Sequence, residues 1–309
     1  MNKYFSLTVI TALILLLILA CKKEQKCSYL KDYYQQVYLA EKAFYTKDYK
    51  AVVDLMDKAC SKCELLNQRG IYEMYKYAES AARIGATQKA IELIRALLLR
   101  GYDINQLAQN EGFVPLLATN EWKALETEYD SLHQSYLRGI NLELRSQVKK
   151  MKDDDQYYRS LLRIAGTNRD SIEVMINRVD SINDLQFKEI IGAYGYPNEE
   201  VIGDYKIDRQ HVDPGILLFH FDDYEFYTTT LKEFIEKGEA PPQSLGNFVD
   251  AYQRRVEGRK KFIYGIYDNT GKEEIIDYEN LDIRRVEIGL PPMSLKRSID
   301  SLKQAYYRF

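Results

Sequence analysis

Histidine is the side chain best suited to acid–base chemistry near neutral pH, and the chain contains His133, His211 and His220. His220 lies just before Asp222 and Asp223, whose carboxylates could orient its imidazole as a general acid or base. No two histidines stand at the i,i+4 spacing of a helical metal pair, so the sequence predicts no metal site. A lone histidine in an apolar run is more often a hydrogen-bonded core residue. Both interpretations of His220 stay open.

Other patterns that often carry chemistry favour structure here. Cys60-Ser61-Lys62-Cys63 has redox-pair spacing, but it follows a helical pattern, and the carbonyl end of a helix disfavours a thiolate. We expect a local disulfide, a Cys27-linked disulfide or free thiols there. The segment from Gly265 to Lys272 lacks the spacing and the following Ser/Thr of a phosphate-binding loop, and the sequence has no Gly-x-Ser-x-Gly elbow. We therefore predict no cofactor.

The first twenty-one residues determine where the chain acts. Lys3 precedes an apolar run from Leu7 to Ala20, and the small residue Ala20 stands directly before Cys21. A charged start, a short apolar stretch and a small residue at the cut site are typical of an export signal. A membrane span needs about 20 apolar residues, so this run is short for one.

The residues Ile18-Leu19-Ala20-Cys21 resemble the lipobox of bacterial lipoproteins. The resemblance implies that residues 1–20 are a signal peptide and that Cys21 is acylated, so that the lipid holds the protein on a membrane. Residues 21–27 would be a polar tether. Lys22 after Cys21 resembles enterobacterial sorting signals for the outer membrane, with the body facing the periplasm or the surface. An uncleaved N-terminal anchor is the alternative.

The composition limits the classes of partner that the chain is expected to bind. With 309 residues and 46% hydrophobic content, the chain is long enough for two domains with buried cores. The net charge of −3 and the lack of a long basic stripe argue against nucleic acid. Tyrosine is abundant, at 26 residues against 11 Phe and 1 Trp, and suits half-buried positions and binding surfaces.

From Ser28 to Arg100 the apolar residues recur at helical spacing, interrupted by Gly and Asn, and we predict a helical repeat domain over residues 28–135. Two stretches resemble tetratricopeptide units, with residues 103–132 as a cap. The resemblance implies antiparallel helix pairs that bind peptides or protein segments, and bracing of the C-terminal half is the alternative. On the concave face we expect Tyr45, Tyr72 and Tyr77 to make the contacts. The residues that carry the resemblance are Ala40, Ala43, Phe44, Tyr49, Val52, Val53 and Ala59, then Met74, Tyr77, Ala78, Ala81, Gly85, Ala90, Ile91 and Leu97.

The pattern of the remaining residues also predicts a mainly α fold. We predict a connecting helix over residues 136–152 and a mostly helical domain over residues 153–309. Asp153, Asp154 and Asp155 suit the first turn of a helix, where acids complement the helix dipole. Alternation of apolar and polar residues around Asp268-Asn269-Thr270-Gly271 predicts one β-hairpin over residues 261–278.

Residues 153–293 resemble an uncharacterised family of bacterial secreted proteins and lipoproteins, a domain of unknown function. The family tends to have glutamine where Phe219 precedes the histidine and tryptophan where Tyr196 stands. The matching pieces are Asp155-Gln156, Arg159, Gly195-Tyr196-Pro197, Gly203, His220, Arg255-Val256, Tyr264-Gly265, Arg284-Arg285 and Gly289-Leu290.

Two functions follow as hypotheses. The first is a membrane-anchored envelope lipoprotein without catalysis, a protein-interaction or scaffold module with a protein or peptide partner. The second is an envelope hydrolase in which His220 is the acid/base. In that case Asp155, Arg159, Arg284 and Arg285 would position an anionic substrate. Convergence of these residues on one cleft would favour the enzyme.

Overall fold

The computed structural model describes residues 27–308 except 165, 167, 257, 259, 260, 268 and 269. The predicted signal peptide, the lipidation candidate Cys21 and the tether up to residue 26 lie outside the described residues. The described chain is mostly helical, as predicted. Among its helices, none combines the length and the apolar character that crossing a bilayer requires.

The first half consists of short helices joined by tight turns. A π-helical turn, Tyr29–Tyr33, leads directly into the first α-helix. Helix α1 packs on α2, α2 on α3, α3 on α4, and α4 on α6. The helices of this half are α1 (Tyr34–Tyr45), α2 (Tyr49–Cys60), α3 (Glu73–Arg83), α4 (Thr87–Leu98), α5 (Ile104–Ala108) and α6 (Asn120–Gly139).

The turns that join α1 to α2 and α3 to α4 have the same form. Each contains one residue in the left-handed region, Lys47 with φ 62° and Gly85 with φ 77°, and these two positions are 38 residues apart. A left-handed residue after the last helical turn lets a following N–H reach back to an orphan helix carbonyl. The matching hydrogen bonds are Asp48 N to Ala43 O and Ala86 N to Ala81 O, both 2.9 Å.

A disulfide joins Cys27 to Cys63 and so fastens the start of the described chain to the segment after α2. Of the alternatives left open by the sequence, this is the Cys27-linked pairing. Cys60 remains a free, half-buried thiol. Burial raises the pKa of the Cys60 thiol to about 11, so it stays protonated at neutral pH.

The second half contains longer helices. Helix α7 packs against α8, and α10 packs against α11. A 3₁₀ segment, Pro214–His220, lies against both α7 and α11. The helices are α7 (Leu142–Leu161), α8 (Arg169–Tyr194), α9 (Glu199–Ile202), α10 (Tyr224–Glu236), α11 (Pro242–Arg255), α12 (Leu281–Glu287) and α13 (Met293–Tyr306).

The prediction that Asp153, Asp154 and Asp155 open a helix is wrong, because α7 begins at Leu142 and runs through them. Asn141 caps the start of α7 instead, with its side chain accepting from the N–H of Leu144. Residues 136–152 are therefore divided between the end of α6 and the start of α7. The acids at 153 and 154 form i,i+4 ion pairs with lysines one turn earlier.

The predicted β-hairpin over residues 261–278 is also wrong. Within the described part of this segment, Phe262 and Ile275 form an isolated bridge, and 3₁₀ turns follow at Lys272–Glu274 and Tyr278–Asn280. Asp268 and Asn269, the predicted turn residues, lie outside the described residues.

The physical reason is that side chains satisfy the backbone groups that a second strand would have paired. The Asp250 carboxylate, fully buried, accepts the N–H groups of Ile263, Tyr264 and Ile266 at 2.8–3.0 Å. Gly265, with φ 59°, breaks the extended path between them. The segment therefore wraps around a carboxylate.

The two halves share one continuous hydrophobic core that extends from Tyr29 to Ile299. Helix α13 returns to pack on α1. The Tyr34 hydroxyl lies 3.4 Å from Ile235 O and 3.3 Å from Ala240 O, and Gln35 Nε2 donates to Leu290 O at 3.0 Å. Because the chain's end lies on its first helix, side chains from both halves line the cavities between them.

Candidate functional site

A groove lined by aromatic side chains lies where α13 meets the first half, and we call it the tyrosine groove. It encloses a cavity of about 460 Å³, within the usual size of ligand sites. The first half contributes five of its aromatic side chains: Phe44, Tyr45, Tyr72, Tyr75 and Tyr102. The second half contributes Tyr205, Tyr306 and Tyr307.

Two of the three predicted binding tyrosines line this groove. Tyr45 is packed edge-on against Tyr306, with 5.5 Å between ring centroids, and Lys76 Nζ lies 5.1 Å from its ring. Tyr72 stands just before α3 in a left-handed conformation with φ 53°. That conformation is costly for a residue with a Cβ and is found preferentially at functional positions.

Tyr77 lies elsewhere. It is buried, its hydroxyl donates to Asp57, and Lys89 Nζ lies 5.6 Å from its ring. These partners come from α2 and α4, so Tyr77 packs among the helices and does not line the tyrosine groove. Its helical spacing marked a buried face, and spacing alone does not separate a core tyrosine from a groove tyrosine.

The charges around the groove are unbalanced. Lys76 pairs with Glu41 at 2.6 Å, and Lys206 pairs with Asp204 at 2.5 Å. Glu79 pairs with Arg83 at 2.8 Å. Lys303, half-buried on α13, also lines the groove and pairs with no carboxylate among residues 27–308 as described. Among the described residues, Lys303 is therefore the cation of the groove that has no counterion.

Three of the five candidate catalytic residues come together at a different place. His220 Nε2 lies 3.8 Å from Asp155 Oδ1, which is too long for a hydrogen bond. Arg159 donates to Asp155 at 2.7 Å and to both carboxylate oxygens of Asp180 at 2.8 Å. The group is built from α7, α8 and the end of the 3₁₀ segment.

The electrostatics of this group disfavour an acid role for His220. Burial, and then the positive charges of Arg159 and Arg255, lower the pKa of His220 to about 3. Burial raises the pKa of Asp155 to about 6, although Arg159 and Gln156 oppose the shift. At neutral pH, His220 is therefore a neutral imidazole beside an ionised, arginine-bound carboxylate.

Arg284 and Arg285 hold the 261–278 segment. Arg284 donates to the carbonyl oxygens of Ile263, at 3.2 Å, and of Ile276. Arg285 is almost fully buried and donates to Tyr264 O at 2.6 Å and Pro291 O at 2.7 Å. Both guanidinium groups are engaged by backbone carbonyls, and neither joins the His220 group.

Sequence reasoning missed two members of the His220 group. Asp180 lies on α8, 21 positions from the Arg159 that it binds, and nothing in the spacing connects them. Arg255 donates to the carbonyl oxygens of Phe219, at 3.3 Å, and Phe221, at 2.8 Å, and so fixes the backbone on both sides of His220. Arg255 carries part of the family resemblance, which was the available signal.

His220→Gln is expected to change how stability depends on pH. Between about pH 6.5 and pH 3 the unfolded chain binds a proton at His220 that the folded protein excludes, so the wild type loses stability as pH falls. One such proton corresponds to about 1.4 kcal/mol per pH unit. Urea unfolding at pH 6, 5 and 4 should show the variant gaining on the wild type by about that amount per unit.

Asp155 contributes with the opposite sign, because its raised pKa favours the folded state at low pH, and the difference between the two proteins isolates His220. His211→Gln is the matched control, since His211 is exposed and lies outside the group. Its unfolding free energy should follow the wild type at each pH. Parallel curves for His220→Gln and the wild type would contradict the buried, neutral state of His220.

In the described part of the chain, no group of three or more His, Cys, Asp or Glu side chains is arranged to hold a metal ion. No protein family, curated protein or solved structure matches this chain.

Proposed function

We propose that the protein is a lipid-anchored lipoprotein of the bacterial outer membrane, facing the periplasm or the surface, that binds a segment of another envelope protein in the tyrosine groove. The observation that carries this proposal is the groove itself, where eight aromatic side chains from both halves surround about 460 Å³. The membrane anchor is supported by the sequence at Ile18–Cys21. We further propose that α1–α4 are two tetratricopeptide-like units, supported by their matching turns.

The charge of Lys303 indicates which kind of protein segment the tyrosine groove would bind. Tyrosine side chains offer apolar area together with hydroxyl groups, and they are common in the core of protein interfaces. A half-buried ammonium at Lys303 attracts a carboxylate more strongly than an exposed one would, because it is less screened. The proposed ligand is therefore an acidic segment that also carries apolar or aromatic residues.

The test places a photoreactive amino acid in the groove. Tyr307 lines the groove with 69% of its surface exposed, so benzoylphenylalanine at this position keeps an aromatic ring there and perturbs the core little. Illumination of cells, followed by mass spectrometry of the crosslinked peptides, reads the partner segment directly. We expect segments with net negative charge.

Lys303→Glu in the same background should abolish the crosslink, because it reverses the unpaired charge. Lys58→Glu makes the same reversal at an exposed position of α2 and should leave the crosslink unchanged. Crosslinks to basic segments, or a yield that Lys303→Glu does not reduce, would refute binding of an acidic segment in the groove.

The envelope hydrolase is the second candidate. It is supported by the distance of 3.8 Å between His220 Nε2 and Asp155 Oδ1. Arg284 and Arg285 count against it, because their guanidinium groups donate to backbone carbonyl oxygens. The group therefore lacks two of the residues assigned to an anionic substrate. Loss of an envelope hydrolase activity in the His220→Gln variant, with folding intact, would place this candidate first.

A further inference from the structure

We propose that a second cavity binds a primary ammonium group on a short apolar body. This cavity, which we call the amide cavity, lies between residues 66–72 of the first half and residues 198–206 of the second. Its volume is about 340 Å³. It goes beyond the proposed function, because the groove's unpaired lysine, Lys303, does not line it.

Two adjacent side chains of the cavity lining, Asn67 and Gln68, carry buried amide oxygens that have no donor in the described chain. Gln68, only 8% exposed, donates through Nε2 to Tyr34 Oη at 3.3 Å and Gly238 O at 3.5 Å, and its Oε1 has no partner in the described chain. Asn67 donates through Nδ2 to Tyr102 Oη at 3.0 Å, and its Oδ1 is likewise unpaired. A buried acceptor left without a donor costs about 1–3 kcal/mol. A ligand that brings N–H donors removes this cost.

The charges of the lining favour a cation. Glu239 also lines the cavity, and no cation of the described chain pairs with it. Every basic side chain of the lining is already held by a carboxylate, so the cavity offers no free cation to an anionic ligand. These pairs are Arg69–Glu199 at 3.0 Å, Arg100–Glu200 at 2.9 Å and Lys206–Asp204 at 2.5 Å.

The aromatic lining fits the same ligand. Tyr72, Tyr102 and Tyr136 line the cavity, and tyrosine rings attract ammonium groups through their negative faces. The Tyr102 ring already has Lys206 Nζ at 3.9 Å from its centroid and the stacked Tyr75 ring at 6.0 Å, which leaves Tyr72 and Tyr136 for the ligand. Leu66 and Leu99 supply apolar surface for the body of the ligand.

The ammonium has two possible sources, a free organic amine or a lysine side chain of another protein. The probes are 1-aminohexane, which is cationic at neutral pH, and the blocked peptide acetyl-Gly-Lys-Gly-amide. Their neutral counterparts are 1-hexanol and the same peptide with norleucine. Binding is measured by calorimetry and by NMR titration of the isolated protein. We expect the ammonium member of at least one pair to bind at least tenfold more tightly than its neutral counterpart, and that pair identifies the source.

Gln68→Met removes the buried acceptor while keeping the side chain's length, and it should weaken ammonium binding at least tenfold. Gln253→Met is the matched control, because Gln253 is 6% exposed and also has an unpaired Oε1, but lies on α11 outside this cavity. It should bind like the wild type. Asn67→Asp should bind more tightly, because it adds a negative charge beside the ligand.

Equal affinity for the ammonium and neutral members of both pairs would overturn the proposal, as would no binding of any probe by the wild type. An equal loss in Gln68→Met and Gln253→Met would also overturn it, because the effect would then be global. Lys303→Glu should leave ammonium binding unchanged, so failure of the groove and failure of the amide cavity are separate results.

Discussion

Asp250→Ala is expected to lower the free energy of unfolding by about 4 kcal/mol. The buried carboxylate accepts three backbone N–H groups, from Ile263, Tyr264 and Ile266. Each loses its acceptor in the variant, at about 1–3 kcal/mol for a buried unpaired group, and water entering the space recovers part of the loss. Urea unfolding followed by circular dichroism measures the difference.

Asp250→Asn should cost about half as much. Its remaining oxygen can still accept from Ile263 and Tyr264, whereas its amide nitrogen meets the N–H of Ile266 donor to donor. Asp54→Ala is the surface control, because Asp54 is exposed and forms an i,i+4 pair with Lys50, so it should change stability by less than about 0.5 kcal/mol. If Asp250→Ala changed stability no more than Asp54→Ala, the carboxylate would not hold the segment.

Cys21→Ser is expected to abolish lipid attachment completely. Acylation requires the nucleophilic sulfur, and serine does not supply it. Each acyl methylene contributes roughly 0.8 kcal/mol to membrane binding, and two or more chains hold durably, so their loss removes the anchor. Metabolic labelling with a radioactive fatty acid and intact-mass measurement should show a labelled, lipid-bearing wild type and an unlabelled variant.

Cys60→Ser is the control, since Cys60 is a free thiol in the described structure. It should retain the label and the added mass. Membrane fractionation alone does not decide the question, because an uncleaved leader would also sediment. A wild-type protein whose mass corresponds to the full, unmodified chain would exclude a lipid at Cys21 and leave the uncleaved anchor.

Local periodicity predicted most of the helices, because helices α1, α2 and α4 each bury one face that recurs along the sequence. It did not predict the fate of residues 261–278, where alternation was present but the backbone groups found side-chain partners. Those partners, Asp250, Arg284 and Arg285, lie 8 to 21 positions from the groups of this segment that they bind. Pairing over such distances is set by tertiary packing, which short patterns do not encode.

In the candidate sites too, some residues were predictable from local sequence patterns and others were brought in by tertiary packing. Tyr45 and Tyr72 were predicted from one helix face, whereas Tyr306 and Tyr307 reach the groove only because α13 returns to α1. His220 was identified by its chemical type and Asp155 by resemblance. Their 3.8 Å proximity depends on the 3₁₀ segment lying against α7. The composition of the groove was thus partly foreseeable, and its assembly was not.

The Cys27–Cys63 bridge also governs how mechanical load would travel through the protein. Positions 21 and 27 are six residues apart, so if Cys21 carries the proposed lipid, the intervening chain can extend by at most about 20 Å. The tether between the membrane and the folded body would then be short, and a pulling force from the membrane would reach the Cys27–Cys63 disulfide first. Because the disulfide connects the tether to the segment after α2, the force would pass from Cys27 to Cys63 without passing through α1. Helix α1, which contributes Phe44 and Tyr45 to the tyrosine groove, would therefore not be pulled out of its packing by this force.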